Sequence, residues 1–392
     1  MNKKRIAILA DFPWSFFADG ATGRGGGQMT TWLTQLATEF SKDSPYEFHW
    51  ISIDRKGWMG RSASKEWQGQ YFHRIPGLKT PVDLRLGYWF SRWQLLRQLR
   101  RINPALVHCW GTETAYPSVG GHCKVPVILS MQGVLSNLHK QGFLPDHWYW
   151  NKIPKLEPGF IRRASLVTCE SQWAINRVRE VVPEVAARQV EYGVNPSFYN
   201  VSWTPDLVQP YALFVGTLAA YKGVDILLEA LAKVKERNWG LKILGDGPLR
   251  DRVKACGIPG VEWLGILPWS DLQQQMRKAM CLVHPTLADS SPNSVKESRV
   301  IGLPVITTIH GGQFGYIRDG ENGIIVNPLN SESLAKALSQ IMNDPDLARV
   351  MGAARHAEDR AYFQPSNTAQ GFLEIYKQLT DEFSLTTHSL NL

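Results

Sequence analysis

The sequence lacks any long uninterrupted apolar run. No stretch of the 392 residues approaches the roughly 18 apolar residues from which a membrane-spanning helix is inferred. The first residues, MNKKRIAILADFPW, have the charged and then apolar order of a signal peptide, but Asp11 interrupts the apolar part. We therefore expect no transmembrane helix, and a first buried strand at IAILA.

Cysteines in metal-ligand or disulfide-framework patterns are also missing. The five cysteines are scattered and odd in number, at Cys109, Cys123, Cys169, Cys256 and Cys281. This use of cysteine indicates reduced thiols in the cytoplasm, where the sequon Asn200-Val201-Ser202 would stay unused. Short-period repeats, low-complexity segments, a Walker loop and a Gly-x-Gly-x-x-Gly fingerprint are absent as well.

The positive charge is confined to the first half of the chain. Residues 1–200 hold 25 lysines and arginines against 15 acidic residues, whereas the rest holds 18 against 20. Such an asymmetry suits a nucleic acid, an anionic membrane surface or an acidic substrate. The aromatic residues are spread without any RNA-binding motif, so we expect no nucleic acid among the partners.

Strand-like and helix-like segments alternate twice along the chain. The first series begins at RIAILA and ends near SQWAINRVREVV; after a proline-rich stretch the second begins at YALFVGTL. This alternation predicts an α/β fold of two Rossmann-like, doubly wound parallel-sheet domains, with ligands at the carboxyl ends of the strands. We expect an N-terminal domain over 1–200 and a C-terminal domain over 201–370, facing each other across a cleft. Residues 371–392 would form a helix that packs back on the N-terminal domain.

Glycine-rich turns follow several of the predicted strands. In GATGRGGGQ, Gly27 and its neighbours would let the backbone approach a ligand closely, although a flexible loop is an equally good interpretation. Gly216, Gly245 and Gly265 each end a later strand, and Lys222 precedes the next helix. Each of these turns by itself is a weak indication of a site.

The segment that ends in SPNSVKES, residues 289–298, is a strand-to-helix turn rich in small residues. Ser291 suits an N-cap and Pro292 the first helical position, which would leave the N–H groups of residues 293–295 pointing out of a positive helix end. Glu297 follows about 7 Å further along the axis, at about 1.5 Å per residue. A phosphate at the helix end and a ribose diol at Glu297 would fit one nucleotide, while a capped scaffold helix with a solvated glutamate is the alternative.

Taken together, these segments resemble a known family. The series GTLAAYKGVDILLEA, LKILGDGPLRDRV, VEWLGIL and D-x7-E followed by GLPVIT and DGENGIIVNPLNSESLAKAL is similar to the nucleotide-sugar domain of family 4 retaining glycosyltransferases, which have the GT-B fold. The resemblance covers residues 211 to 340. The first half resembles the acceptor domain more loosely, through GGGQMTTWLTQLA, LVHCWGTE and VILSMQG. The details of those segments are similar to members that build bacterial capsule or exopolysaccharide.

The resemblance implies a role for each matching residue. Glu297 would bind the donor ribose, Lys222 would neutralise the diphosphate, and Asp289 would contact the donor hexose. The remaining donor-binding residues would be Gly27, Gly216, Gly245, Gly265, Ile266, Asn293, Ser294 and Val295. His108, at a strand end, is a candidate catalytic residue, with a packed core histidine as the alternative.

This chain departs from the family pattern at several positions. Asp289 stands where a glutamate is usual, Thr217 where an arginine often follows the glycine, and Gln132-Gly133 where a His-Gly pair often lies. These departures keep a degenerate, non-catalytic partner subunit open as an alternative. A sugar-nucleotide epimerase of the same fold is a second alternative.

The expected function is transfer of a hexose from a UDP or GDP sugar to a saccharide or lipid-linked saccharide acceptor, with retention implied by the resemblance only. We expect a cytoplasmic protein, on the inner face of the membrane if the basic half binds anionic lipid through residues 85–101. In that segment a scaffold helix with core tryptophans is the alternative. Asp344-Pro345-Asp346 matches a metal-binding pattern but begins a helix, where acids are favoured. We therefore expect no metal and no other cofactor.

Overall fold

The chain folds into two compact units. The computed structural model describes residues 3–17, 31–55 and 62–389. The first unit runs to Tyr192 and resumes at Pro365, and Gly193–Gln364 form the second. The chain therefore enters the second unit at 193 and leaves it after 364, where the sequence predicted boundaries at 201 and 370.

The first unit is an α/β layer structure around one large sheet. Its strands are β1 (Lys4–Leu9), β2 (Tyr46–Asp54), β3 (Ala63–Trp67), β4 (Gln70–Pro76), β5 (Leu106–Trp110), β6 (Val127–Met131), β7 (Leu166–Cys169) and β8 (Ala187–Gln189). Its helices are α1 (Thr31–Phe40), α2 (Thr80–Arg85), α3 (Trp89–Ile102), α4 (Leu135–Lys140), α5 (Trp148–Arg162), α6 (Gln172–Val181) and, from the end of the chain, α14 (Pro365–Ser389). The strand order is β3-β4-β2-β1-β5-β6-β7-β8, and among the described strand pairs only β3–β4 is antiparallel.

The C-terminal helix is a structural part of the first unit. Phe372 and Tyr376 of α14 lie fully buried in the aromatic core over β1, β2 and β5. Lys4 of β1 also donates a hydrogen bond to Asp381 of α14 over 2.8 Å. An apolar strand run needs cover on both faces of a parallel sheet, and α14 supplies part of that cover.

The second unit contains a smaller sheet in which every described pair of strands is parallel. Its strands are β9 (Tyr211–Val215), β10 (Gly240–Leu244), β11 (Val261–Gly265), β12 (Cys281–His284), β13 (Val305–Thr308) and β14 (Gly323–Val326). Its helices are α7 (Val224–Lys233), α8 (Arg250–Lys254), α9 (Trp269–Lys278), α10 (Asn293–Ile301), α11 (Ser331–Met342), α12 (Pro345–Ala353) and α13 (His356–Tyr362). Apolar clusters cover both faces of the sheet, which accounts for the continuous apolar runs of its strands.

The strand order of the second unit fixes where a ligand can bind. The order β11-β10-β9-β12-β13-β14 runs outward in both directions from the neighbours β9 and β12. In open parallel sheets the crevice at such a switch point, beyond the carboxyl ends of the strands, receives the ligand. The loops that follow β9 and β12 carry Lys222 and Asp289, respectively.

The helices of the described residues do not include a membrane-spanning one. Over those residues, no helix is both long enough and apolar enough to cross a bilayer.

Candidate functional site

Two loops of the second unit pack closely at the switch point. Gly223, between Lys222 and helix α7, has a left-handed φ of 73°, and a Cβ there would lie 2.0 Å from the carbonyl oxygen of Pro285. Only glycine therefore fits between the loop after β9 and the loop after β12. The backbone N–H of Leu287 also donates to the Tyr221 carbonyl over 2.7 Å. These contacts bring Lys222 beside Asp289.

Lys222 and Asp289 form a largely buried ion pair. The side chains are 15% and 12% exposed, and the Lys222 ammonium donates to Asp289 Oδ2. His284 Nε2 lies 3.2 Å from the same oxygen. Burial alone would raise the pKa of Asp289, but the Lys222 charge and the His284 hydrogen bond outweigh it and hold that pKa well below its usual range. The carboxylate is therefore ionised at neutral pH, and it pairs with the Lys222 ammonium at the strand ends.

Helix α10 opens toward the same strand ends with free donors. Asn293 is its first residue and Pro292 its N-cap, so the predicted N-cap Ser291 and first position Pro292 are each wrong by one residue. Val295 N–H donates to the Pro292 carbonyl over 3.1 Å, which removes it from the three predicted ligand donors. Within the described ranges, the N–H groups of Asn293 and Ser294 have no acceptor. Two donors at a positive helix end still suit an anion.

Glu297 is a largely buried carboxylate beside Lys296. It is 7% exposed, and over the described part of the chain its carboxylate has no hydrogen bond or ion pair. Burial raises its pKa to about 7, and the nearby charge of Lys296 opposes that rise only in part. A carboxylate with a raised pKa gains free energy when the hydroxyl groups of a ligand donate hydrogen bonds to its charged form. The geometry thus favours the ligand interpretation of Glu297 over a solvated scaffold residue.

The other predicted glycines lie at the same edge of the sheet. Gly245, after β10, has φ 134°, and a Cβ there would lie 1.9 Å from the Gly216 carbonyl oxygen, so the turns after β9 and β10 need glycine to pack. Gly216 itself adopts an ordinary φ. Gly265 ends β11 with φ 68°, and Ile266 after it is 70% exposed. β11 is three strands from β12, about 14 Å away at about 4.8 Å per strand, so these two residues lie far from Asp289.

Two further predicted residues lie elsewhere. Gly27 falls outside the described residues. His108 is fully buried in the core of the first unit, where Nδ1 lies 2.7 Å from Tyr376 Oη and Nε2 lies 2.7 Å from Ser130 Oγ. Burial lowers the pKa of His108 well below its usual value, so the ring is neutral and both nitrogens are engaged. We therefore assign His108 to the aromatic core and correct the prediction of a catalytic role.

Sequence reasoning missed the polar residues that support Asp289. His284 is the last residue of β12 and is 1% exposed, and Gly312 N–H donates to the Asp289 carbonyl over 2.9 Å. A polar residue at the end of an otherwise apolar strand was the signal for His284. No local sequence pattern predicts the contact between Gly312 and Asp289, because Gly312 lies in the loop after the next strand, β13.

The Asp-x-Asp pattern proves to be a helix start. Asp344 is the N-cap of α12 and accepts hydrogen bonds from the N–H groups of Asp346 and Leu347, over 3.1 and 2.9 Å. Asp346 pairs with Arg349 one turn later. Both carboxylates therefore serve the helix, and no group of three or more metal-ligating side chains occurs within the described ranges.

The switch point of this parallel α/β unit carries a lysine, an open helix end and a carboxylate. This arrangement is typical of proteins that bind anionic ligands beyond the strand ends. Two family models match this chain. The one described as Glycosyltransferase Family 4 matches residues 26–198, and the one described as Glycosyl transferases group 1 matches residues 209–344. The chain belongs to the family 4 glycosyltransferases with the GT-B fold.

Individual relatives agree with this assignment. An uncharacterised glycosyltransferase of Methanocaldococcus jannaschii is 27% identical over 44% of this chain and 49% of its own length. The α-D-kanosaminyltransferase of Streptomyces kanamyceticus is 26% identical over 78% of this chain and 88% of its own. Several of the matches are partial, and the chain spans about half the length of the first curated relatives it matches.

Solved structures share the fold. Sucrose-phosphate synthase from Thermosynechococcus elongatus superimposes with a TM-score of 0.77 at 16% identity, covering 97% of this chain and 100% of that one. The Anabaena protein HepE in complex with UDP and glucose gives a TM-score of 0.72 at 14% identity, covering 96% of this chain and 100% of HepE. At these identities the likeness concerns the GT-B fold alone.

Proposed function

We propose that this protein transfers a hexose from a nucleotide-diphosphate sugar to a hydroxyl group of a saccharide or lipid-linked saccharide acceptor, with retention, in surface polysaccharide biosynthesis. The observation that carries the proposal is the combination of an unpaired buried carboxylate, Glu297, with a free helix end and a lysine at one switch point. A nucleoside diphosphate supplies ribose hydroxyl groups that can donate to Glu297. It also supplies negative charge for the helix end and for Lys222. The HepE complex with UDP and glucose supports a UDP sugar as donor, with GDP sugars as the alternative.

The chemistry would rest on fixed charges. As the bond to the sugar breaks, negative charge grows on the leaving diphosphate, and Lys222 together with the Asn293 and Ser294 N–H groups would stabilise it. These cationic and dipolar groups take the role that a metal has in other transferases. We therefore propose a reaction that needs no metal and no other cofactor.

The donor assignment can be tested by thermal unfolding with a panel of nucleotide sugars. A ligand at 100 times its dissociation constant stabilises a protein by about 2.7 kcal/mol. For a unit of this size that is a rise in Tm of about 5 to 10 °C. We expect one UDP or GDP sugar to give this rise and the Glu297→Gln variant to lose most of it. Flat traces with every UDP and GDP sugar would remove the donor assignment.

Two alternatives make different predictions. A sugar-nucleotide epimerase of the same fold would convert the donor without any acceptor, whereas the proposed transferase releases nucleotide faster when acceptor is present. A degenerate partner subunit, suggested by Thr217, Gln132 and Asp289, would bind nucleotide weakly and release none. The intact Lys222–Asp289 pair and the buried Glu297 favour an active enzyme over a degenerate subunit, and the acceptor dependence then separates the transferase from the epimerase.

A basic and apolar surface of the first unit suits an acceptor held at a membrane. Four large apolar side chains are exposed within residues 82–93, from α2 to the start of α3; this tryptophan surface consists of Val82 (40%), Leu86 (53%), Trp89 (61%) and Trp93 (44%). The alternative of core tryptophans is therefore excluded for Trp89 and Trp93. Segment 84–102 contains five arginines and no acidic residue. We propose that the protein acts in the cytoplasm, peripherally on the inner membrane face, with this surface on anionic lipid.

Vesicle sedimentation tests this surface. Each basic residue near an anionic bilayer adds about 1 kcal/mol of binding, which salt screens. We expect the protein to pellet with anionic vesicles at low salt and to be released at high salt. Replacing Trp89 and Trp93 by serine should abolish pelleting, whereas Val350→Ser, at an exposed valine of the second unit, should not. Equal binding, or none, to anionic and neutral vesicles rejects the idea.

A further inference from the structure

His284 is buried beside the candidate site without a complete set of partners. Its Nε2 lies 3.2 Å from Asp289 Oδ2, and its backbone carbonyl accepts from Thr307 Oγ1 of the neighbouring strand over 2.9 Å. Its other ring nitrogen, Nδ1, is buried and has no hydrogen-bond partner within the described ranges. An unpaired buried nitrogen lowers stability, and an apolar ring would fill the same space without that loss. Fold stability alone therefore does not account for a histidine at this position.

The tautomer of His284 follows from its surroundings. Burial lowers the pKa of His284, so the ring is neutral even though Asp289 lies beside it. A neutral ring facing a carboxylate must carry its proton on the facing nitrogen, since two acceptors would repel each other. His284 Nε2–H thus donates to Asp289 Oδ2, and Nδ1 keeps the lone pair.

The two donors engage only one oxygen of Asp289. Lys222 and His284 both bond Oδ2, whereas Oδ1 has no donor in the part of the chain that the structure describes. Gly312 N–H holds the Asp289 backbone as well. Asp289 is therefore fixed at its main chain and at one carboxylate oxygen, and the other oxygen is left for a ligand.

We propose that His284 is a positioning residue that holds Asp289 through Oδ2, so that Oδ1 accepts a hydroxyl group of the donor hexose. This inference rests on the proposed function. When the diphosphate binds, Lys222 shares its ammonium with the phosphate oxygens, and its bond to Asp289 weakens. His284 Nε2–H is then the donor that keeps the carboxylate in place, because it stands on β12 and, unlike Lys222, carries no charge that a phosphate would attract.

Two replacements of His284 separate this role from packing. His284→Phe keeps a ring of similar size and removes the Nε2 donor, whereas His284→Gln keeps an N–H donor. A carboxylate displaced by about 1 Å can lower the rate about 100-fold. We expect His284→Phe to lower kcat about tenfold to 100-fold with donor KM within about threefold, and His284→Gln to recover most of the loss.

A binding measurement gives a readout that does not need turnover. Calorimetry of wild-type protein should show tighter binding of the nucleotide sugar than of the same nucleotide diphosphate without sugar. We expect His284→Phe to lose that preference and to bind the nucleotide diphosphate as wild type does. His356→Phe is the matched control, because His356 bonds the Val300 carbonyl at the opposite end of α10. It should keep the preference.

The outcomes distinguish the inference from the function on which it rests. If wild type binds no nucleotide, both the proposed function and the role of His284 are overturned. If wild type binds and turns over the donor, but His284→Phe retains both the preference for the sugar and the wild-type kcat, only the positioning role is overturned. Loss of kcat in His284→Phe without rescue in His284→Gln would assign the effect to packing.

Discussion

Replacing Lys222 by alanine is expected to lower kcat by about 100-fold to 1,000-fold and also to weaken donor binding. The Lys222 ammonium would face a diphosphate whose charge grows as the sugar leaves. Two unit charges about 4 Å apart interact by about 4 kcal/mol at an effective dielectric of about 20, and each 1.4 kcal/mol or so is tenfold in rate. Only the part of this energy that increases in the transition state changes kcat. Steady-state donor kinetics at saturating acceptor measure the effect.

Two companion variants sharpen this measurement. Asp289→Asn should lower kcat as well, because Asp289 is expected to contact the reacting hexose. Lys336→Ala removes a lysine that is 77% exposed and pairs with Glu332, so its constants should match those of wild type. Wild-type constants for both Lys222→Ala and Glu297→Gln would mean that the switch point holds no nucleotide, and the functional proposal would fail.

Replacing Glu297 by glutamine is expected to stabilise the empty protein at neutral pH while it weakens donor binding. The pKa of Glu297 is raised from 4.5 to about 7 in the folded protein. A raised carboxyl pKa contributes stability below pH 4.5 that is lost as the pH rises toward 7, since the buried group must then ionise. A shift of this size corresponds to about 3 kcal/mol, at about 1.4 kcal/mol per unit.

Thermal unfolding at two pH values measures this cost. Between pH 5 and pH 8, the unfolding free energy of wild type should fall by about 2 to 3 kcal/mol relative to Glu297→Gln. In Tm this is a relative change of about 4 to 12 °C for a unit of this size. Glu332→Gln, at a side chain that is 70% exposed, should show no such dependence on pH. A constant difference in Tm between wild type and Glu297→Gln would mean that Glu297 has an ordinary pKa.

The same residue should make donor binding depend on pH. Ribose hydroxyl groups donate hydrogen bonds to the ionised carboxylate, so the donor favours the charged form. Donor KM should therefore rise as the pH falls below about 7, by up to about tenfold per pH unit. Glu297→Gln should have a higher KM that no longer follows this dependence, with kcat little changed, because the ribose is the same in ground and transition states.

The sequence determined the two α/β halves and which polar residues of the second unit follow its strands. Alternating apolar strand and helix segments predicted parallel sheets, and the sequence placed Lys222 and Asp289 in loops that follow strands and Glu297 in the helix after β12. These inferences succeed because strand burial, glycine φ and helix starts depend on neighbours along the chain. The same local signals identified Asp344 as a helix start rather than a metal ligand.

The sequence did not predict helix α5 or the β3–β4 hairpin, because the local signals in these two segments contradict the structure that forms. Helix α5 contains Pro154 and Pro158, which normally end a helix, yet its apolar face packs into the core of the first unit. The β3–β4 hairpin turns at Gln68-Gly69, both with positive φ, in a polar segment that is typical of a loop. Burial against the rest of the unit outweighs local propensity in α5, whereas β3, which is largely exposed, is held by its antiparallel pairing with β4.

Only the tertiary structure decided what the individual polar side chains do. His108 and His284 both lie in apolar strand segments, but His108, in the middle of β5, is enclosed by Tyr376 and Ser130, whereas His284, at the end of β12, faces Asp289. The tryptophans of α3 suited core and surface equally well until their exposure was known. The partners of His108 come from segments distant along the chain, α14 and β6, whereas the partner of His284 stands five residues further on and is brought back to it by the loop after β12. The sequence therefore determined which residues stand at the strand ends, and packing decided which of them a ligand can reach.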